Sequence, residues 1–273
     1  MTLNALLRPV STAIFDWAGT VLDFGCIAPV QAFREAFAEA GVEISEAEAR
    51  LPMGAAKREH IELILAQEAP QARWQEKYGR PSNQSDVDKL YTAFLRIDEV
   101  NCAKYSAMIP GALDVINDLR AKGIAIGSTT GYPRAVMDGL IPLAAAQGYA
   151  PDHCTTVSEV KRGRPYPDMV LDNALALGAP SMRSCVVVDD SPTGLTSGRV
   201  AGTWAVGIIA SGNEVGLSLA DWTALSGDEQ DARRSAAIAK LNAAGAHYTI
   251  DTIADLPAVI EMINMRLENG EQP

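Results

Sequence analysis

Two hydrophobic periods alternate along the 273-residue chain, and the places where one replaces the other outline the architecture. Residues 12–16 (TAIFD) form a short β-branched and aromatic run followed by Gly19-Thr20, the pattern of a buried strand ending in a turn. From Cys26 to about Tyr105 the period becomes helical. Apolar positions recur at three- and four-residue spacing over 28–40, and the run stops at Gly41. Ser45, with Glu48 three residues on, reads as a capping box. Stretches 55–66 and 85–104 predict further amphipathic helices. After Pro110-Gly111 the chain changes again, to strands at 124–127, 185–189, 204–209 and near 248–250. Helices fall between them, one up to Lys122-Gly123 and others after Pro133, from Pro167 and from about Pro192. Alternation of this kind gives a parallel sheet with helices on both faces. The expected fold class is α/β: a doubly wound parallel-sheet (Rossmann-like) core, with an all-helical cap inserted after its first strand. The core takes residues 1–24 and 106–273, the cap 25–105.

Composition narrows the partners more than the fold. A net charge of −11 repels the phosphates of a nucleic acid, and no Lys/Arg run offsets it locally. An anionic ligand must then be small and held at one positive spot. The apolar stretches are too short to span a membrane. Cys26, Cys102, Cys154 and Cys185 have no CxxC pairing or zinc-ligand spacing. With no signal peptide in the sequence, a reduced, cytoplasmic chain is the expectation.

Ligands of open α/β sheets bind beyond the carboxyl ends of the strands. Four polar clusters are expected there: Asp16-Trp17-Ala18-Gly19-Thr20, Ser128-Thr129-Thr130-Gly131, Gly163-Arg164-Pro165 and Asp189-Asp190-Ser191. Two carboxylate clusters, a hydroxyl cluster and one cation can converge on a single point. Carboxylates beside a phosphoryl group suit a bridging magnesium ion, which prefers hard oxygen ligands. Each cluster alone is weaker: an Asp that ends a strand is more often a cap or turn former than a nucleophile.

The ordered set resembles the haloacid dehalogenase-like superfamily of aspartate-nucleophile hydrolases over essentially the whole chain. The resemblance implies Asp16 as nucleophile, Ser128 or Thr130 as phosphoryl ligand and Arg164 as the steadying cation. It also implies magnesium on Asp16, the Ala18 carbonyl and Asp190. Asp189 competes for the last place, and Asp190 is preferred because Asp189 closes the strand. A second acidic position that many relatives carry nearby is Gly194 here.

Ala18 is the informative departure. Phosphatases of the superfamily carry there a second Asp that protonates the leaving alkoxide, and losing a general acid costs about 10²–10⁴ in rate. A carbon leaving group escapes that need if something accepts its electrons, and a Lys that forms a Schiff base with a carbonyl substrate can do so. Lys57 in the cap stretch Pro52-Met53-Gly54-Ala55-Ala56-Lys57-Arg58-Glu59-His60 is the candidate. Met53, Lys57 and His60 would share one helical face, although Gly54 leaves the first turn open. Taken alone, Lys57 is an ordinary surface Lys and His60 a packed His. With DWAGT at 16–20, GSTTGY at 127–132 and GRPYP at 163–167, the chain resembles the phosphonatase family, the phosphonoacetaldehyde hydrolases. That resemblance implies a small phosphonate substrate, an imine on Lys57, and Cys26, Met53, His60 and Tyr132 shaping the site. Cys26 and Met53 are equally explained as core packing. It further implies a homodimer joined through the caps and a place in 2-aminoethylphosphonate breakdown. A metal-independent dehalogenase and a catalytically silent binding module are the alternatives; magnesium dependence and a turnover assay separate them. Residues 211–232 suggest no role.

Overall fold

Uncharged runs of Val, Ile and Ala give strands with no polar face to present to water, so both faces must be covered. The computed structural model, which describes residues 9–273, shows this arrangement. Strands β1 (Thr12–Phe15), β2 (Ala125–Thr130), β3 (His153–Thr156), β4 (Cys185–Asp189), β5 (Trp204–Ile208) and β6 (Tyr248–Ile250) form one sheet in the order β3-β2-β1-β4-β5-β6. Every pairing is parallel. Between β1 and β2 come α1 (Ile27–Glu39), α2 (Glu46–Arg50), α3 (Lys57–Ala66), α4 (Glu68–Tyr78), α5 (Gln84–Lys104) and α6 (Ala112–Ala121). The remaining helices are α7 (Arg134–Ala146), α8 (Asp168–Ala176), α9 (Pro192–Ala201), α10 (Leu219–Ala224), α11 (Gly227–Ala243) and α12 (Leu256–Glu268). The expected core begins at residue 1, and its first eight residues lie outside the described residues.

The two-residue period of the strands sorts the layers. Ala13, Phe15, Val186, Val188, Val206 and Ile208 share a cluster with Ile116 and Leu119 of α6 and Ile260 and Ile263 of α12. The alternate residues face the other way: Ile14 and Val187 meet Val170 of α8, and Ala205 meets Leu195 of α9 and Leu241 of α11. That is double winding. Helices α1 to α5 pack on one another as an inserted all-helical cap, with Phe33 of α1 stacked on Phe94 of α5 at 4.4 Å between centroids. The chain leaves and re-enters the core through a paired neck: Asp23 N–H donates to the Ala107 carbonyl at 3.0 Å, and Ile109 N–H to that of Val21 at 2.9 Å.

Several expectations need correction. Helix α3 begins at Lys57 and not at Ala55, because Gly54 takes a left-handed φ of 90° that ends the preceding turn. Met53 therefore lies before the helix and shares no helical face with Lys57 and His60. Strand β2 runs to Thr130, so Ser128 and Thr129 stand inside the strand instead of beyond it. Helix α4 and strand β3 were not anticipated: α4 is polar over most of its length, and β3 is a four-residue edge strand. Residues 211–232 make a loop, then α10, then the start of α11.

Candidate active site

In the observed strand order, β1 and β4 flank the point where the winding reverses, so their carboxyl ends open onto the crevice of such sheets. Asp16 directly follows β1, tied to β4 by its N–H to the Val188 carbonyl at 2.9 Å. Asp189 ends β4 and Asp190 follows it. Carboxylate oxygens of these three buried residues all lie within 4.8 Å of one another. Arg164 is the cation among them, 2.8 Å from Asp16 Oδ1 and 2.8 Å from Asp189 Oδ2. Three carboxylates against one guanidinium leave negative charge in excess. Burial, then the charges of Asp16 and Asp189, hold the Asp190 carboxyl well above the usual carboxylate range. Burial likewise pushes Asp189 up to about 6, against the pull of Arg164.

The supports of this cluster are local. Asp189 Oδ1 accepts from Ser191 N–H and Oγ–H at 2.9 and 2.7 Å, and Asp190 Oδ2 accepts from Asn213 N–H at 2.8 Å. Gly194 is required by contact: a Cβ there would stand 2.0 Å from Asp189 Oδ2. An acidic side chain at this position would have no room while Asp189 is so placed. The Arg164 guanidinium donates to Thr129 Oγ1 at 2.8 Å and to the Thr129 carbonyl at 3.1 Å.

The cap lies directly on this cluster. Gly54 approaches so closely that a Cβ would fall 2.1 Å from Thr193 Oγ1 and 2.4 Å from Ser191 Oγ. Thr193 Oγ1 also donates to the Met53 carbonyl at 3.2 Å. The enclosed cavity is about 20 Å³. Asp16, Ala18, Thr130, Tyr132, Arg164 and Asp190 line it from the core, and Met53 and Lys57 reach it from the cap. Cys26 joins them from the N-terminal end of α1, with its thiol pushed well up by burial and by the Asp190 and Asp23 charges. Lys57 is 5 % exposed, its Nζ 4.5 Å from the centre of the Tyr132 ring and 5.8 Å from that of Phe33. A cation at the first position of a helix opposes the helix dipole, so local stability does not explain it.

Two candidates stand apart. Ser128 Oγ accepts the Trp17 indole N–H at 3.0 Å, which commits it to packing, whereas Thr130 faces the cavity. His60 is fully buried behind Lys57, its ring tilted against that of Phe33 with centroids 3.9 Å apart, and its Nε2–H donated to the Ala49 carbonyl at 2.8 Å. Burial, then the Lys57 charge, pushes its imidazolium form well out of reach. The sequence reasoning missed Thr129, though it sits in the hydroxyl cluster, and missed Asn213 and Ser211 altogether. Ser211 Oγ donates to the Gly19 carbonyl at 2.8 Å, so the loop without an expected role braces both acidic segments. A larger groove of about 500 Å³ beside the neck, lined by Asp23, Lys104, Met108 and Leu217, gathers no comparable set.

Among the described residues, no helix is long and apolar enough to cross a membrane. A family model described as haloacid dehalogenase-like hydrolase matches residues 10–202. The chain is 48 % identical to a phosphonoacetaldehyde hydrolase of Klebsiella pneumoniae over 98 % of its length and 100 % of that protein's. It is 47 % identical to one from Salmonella paratyphi A with the same coverage. A solved structure of a phosphonoacetaldehyde hydrolase-like protein from Oleispira antarctica superimposes with a TM-score of 0.96 at 45 % identity, covering 98 % of this chain and 97 % of that one. The β-phosphoglucomutase of Clostridium difficile shares the fold alone, with a TM-score of 0.68 at 17 % identity over 95 % of this chain and 99 % of that one. By these matches the chain belongs to the haloacid dehalogenase-like hydrolases, within the family of the phosphonoacetaldehyde hydrolases.

Proposed function

We propose that the protein hydrolyses the carbon–phosphorus bond of phosphonoacetaldehyde to acetaldehyde and phosphate, as a cytoplasmic step of 2-aminoethylphosphonate degradation. One observation carries the reading: Lys57 from the cap and Asp16 and Arg164 from the core line the same cavity, with Ala18 where a phosphatase keeps its acid. We take residues 25–105 as the moving cap, hinged at the neck. A cavity of about 20 Å³ admits roughly one water, so substrate needs either a raised cap or a path from the open groove of about 420 Å³ that Lys57 and Arg164 also line.

The Lys57 amine condenses with the aldehyde to an iminium. The C–P bonding electrons then become the C=C bond of an enamine as the iminium π pair moves onto nitrogen, so the two-carbon fragment leaves without becoming a bare carbanion. The Asp16 carboxylate takes the phosphoryl group as an aspartyl phosphate, and water attacks that intermediate to free phosphate. Protonation of the enamine and hydrolysis of the imine release acetaldehyde and restore the amine. Arg164, held by Thr129 and Asp189, faces the transferring oxygens, and Thr130 supplies a hydroxyl. Tyr132 gives the amine a ring face to lie on, Met53 and Cys26 exclude water, and His60, from behind, anchors α3 through Phe33 and the Ala49 carbonyl.

The excess of buried carboxylate over cation suits Mg2+, and oxygen donors are what that ion takes. Asp16, the Ala18 carbonyl and Asp190 would hold it; Asp189 is already engaged by Arg164 and Ser191, which favours Asp190. Bound there, it would offset the charge of carboxylates and phosphoryl oxygens brought together. A homodimer through the caps completes the proposal and is checked by sedimentation. The central test is phosphate release from phosphonoacetaldehyde with and without magnesium, beside borohydride trapping followed by mass spectrometry. Trapping should leave a reduced adduct on Lys57, and Lys57→Arg should lose adduct and turnover together. An active Lys57→Arg variant would sink the imine reading.

A further inference from the structure

Arg50, the last residue of α2, uses every nitrogen of its guanidinium, and its bonds divide between the cap and the core. Within the cap, Nε donates to Glu46 Oε1 at 2.8 Å and one terminal nitrogen to the Gly25 carbonyl at 2.9 Å. Toward the core, that same nitrogen donates to Asn213 Oδ1 at 3.2 Å, and the other to the Gly216 carbonyl at 3.0 Å. The fit is close: the side chain is 12 % exposed, and a Cβ on Gly216 would stand 2.6 Å from Arg50 Nε. Buried Asn213 answers in kind, its Nδ2–H donating to the Arg50 carbonyl at 3.4 Å. Its backbone N–H is the donor to Asp190 Oδ2. The loop over 211–216 is therefore held from two sides. Ser211 ties its start to the Gly19 carbonyl and Glu214 pairs with Lys240 of α11, whereas the Asn213 side chain and the Gly216 carbonyl meet the cap. A few residues on, the Met53 carbonyl accepts from Thr193. Residues 50–54 thus bond both to this loop and to the start of α9, the segments that adjoin Asp190.

We propose that Arg50 is a positioning residue: a clamp carried by the cap that fixes the 213–216 stretch on closure and, through the Asn213 N–H, sets the Asp190 carboxylate. The inference rests on the readings of residues 25–105 as a moving cap and of Asp190 as a magnesium ligand. Raising the cap withdraws Arg50 from Asn213 and Gly216, and the middle of the loop loses the partners that aim its N–H at Asp190. Lowering the cap restores them. A guanidinium suits such a junction, because its rigid fork fixes direction as well as supplying charge. Water replaces the lost acceptors when the junction parts, so the net strength is modest and the clamp can be released in each turnover. Lys57 rides on the same cap. One movement therefore delivers the amine to the cavity and aligns the carboxylate on the core side of it, which keeps the cluster from being fully arranged while Lys57 is absent.

The experiment compares the native protein with Arg50→Met, Arg50→Lys, Asn213→Ala and the double variant Arg50→Met/Asn213→Ala, each checked for native circular dichroism. Magnesium binding is read by calorimetry. Cap opening is read from the rate at which a bulky maleimide labels Cys26, located by mass spectrometry, since Cys26 is buried and lines the closed cavity. For Arg50→Met we expect magnesium binding about tenfold weaker and labelling about tenfold faster, the scale of a lost hydrogen bond to a charged group. Asn213→Ala, which cuts the link from the core side and keeps the backbone N–H, should change both in the same direction. Because the two substitutions remove one connection, the double variant should lose no more than the worse single one. Arg50→Lys, with the charge but not the fork, should recover part of each. Native magnesium binding in Arg50→Met overturns the inference. So do losses that multiply in the double variant, which is what two independent structural residues give. If the native protein binds no magnesium, or labels at Cys26 only on unfolding, the metal or the moving-cap reading fails and this inference with it, an outcome read from the native arm alone.

Discussion

Asp98→Asn should raise stability at alkaline pH, and the size of the gain can be worked from the burial of the carboxyl. In the folded chain Asp98 titrates at about 7, against 3.8 in a solvated chain, with burial the leading cause. A folded-state value above the unfolded one means that the native state binds the proton more tightly. The carboxyl therefore costs nothing below pH ~4, and stability is lost as pH rises through the window from about 4 to 7. Three pH units at 1.36 kcal/mol each give a penalty of about 4 kcal/mol above the window, an upper figure because relaxation and water entry soften it. The amide of Asn has nearly the same shape and cannot ionise. Its own unpaired polar atoms resemble those of the protonated acid, so the two proteins should be closest in stability at or below pH 4, with about 1.6 kcal/mol of the difference already present at pH 5. At pH 8.5 the variant should exceed the native chain by a few kcal/mol, read from urea melts at both pH values with unchanged m. Asp23, also pushed up to about 7 by burial, titrates in the same window, and because its charge opposes that of Asp98, part of the gain in the variant is relief of that repulsion. A variant-minus-native difference that is the same at pH 5 and pH 8.5 would refute the reasoning.

Removing Arg164 strips the shared cation from buried carboxylates, so Arg164→Ala should cost about 3–5 kcal/mol, with magnesium chloride restoring part of it in a thermal melt. Arg164→Lys should keep some activity as a point charge without the fork; no response to magnesium would argue against a metal among these carboxylates. Gly194→Ala places a methyl 2.0 Å from Asp189 Oδ2, so it should lose about 1–3 kcal/mol and weaken magnesium binding in a titration; native behaviour would mean Asp189 is free to move away. Thr130→Val should raise KM for phosphonoacetaldehyde, whereas Ser128→Ala should leave kinetics near native and cost about 1 kcal/mol for the lost Trp17 bond. The reverse pattern in steady-state kinetics would return the phosphoryl site to Ser128.

How much of this was legible beforehand depends on the range of the interactions involved. Strand β4 and the start of α9 were readable to the residue, because an uncharged Val run, an Asp and a Ser-Pro cap are decided within a few neighbours. The change from a two-residue to a helical period and back likewise exposed the inserted cap, and the absent acid at Ala18 turned attention to Lys57. Where α3 begins was not decided by period: Gly54 must turn left-handed so that the cap loop can touch Ser191 and Thr193, residues more than a hundred positions away. Which of Ser128 and Thr130 meets the Trp17 indole, and which of Asp189 and Asp190 Arg164 holds, are set by contacts between segments far apart in the chain. Asn213 and Asp98 gave no local signal at all. One brings a backbone N–H to Asp190 across the crevice, and the other reads in sequence as a polar residue on an amphipathic helix. Patterns along a chain report what each segment must hide. Only packing brings together the charges that those segments hide, because their energies depend on distances set by the whole fold.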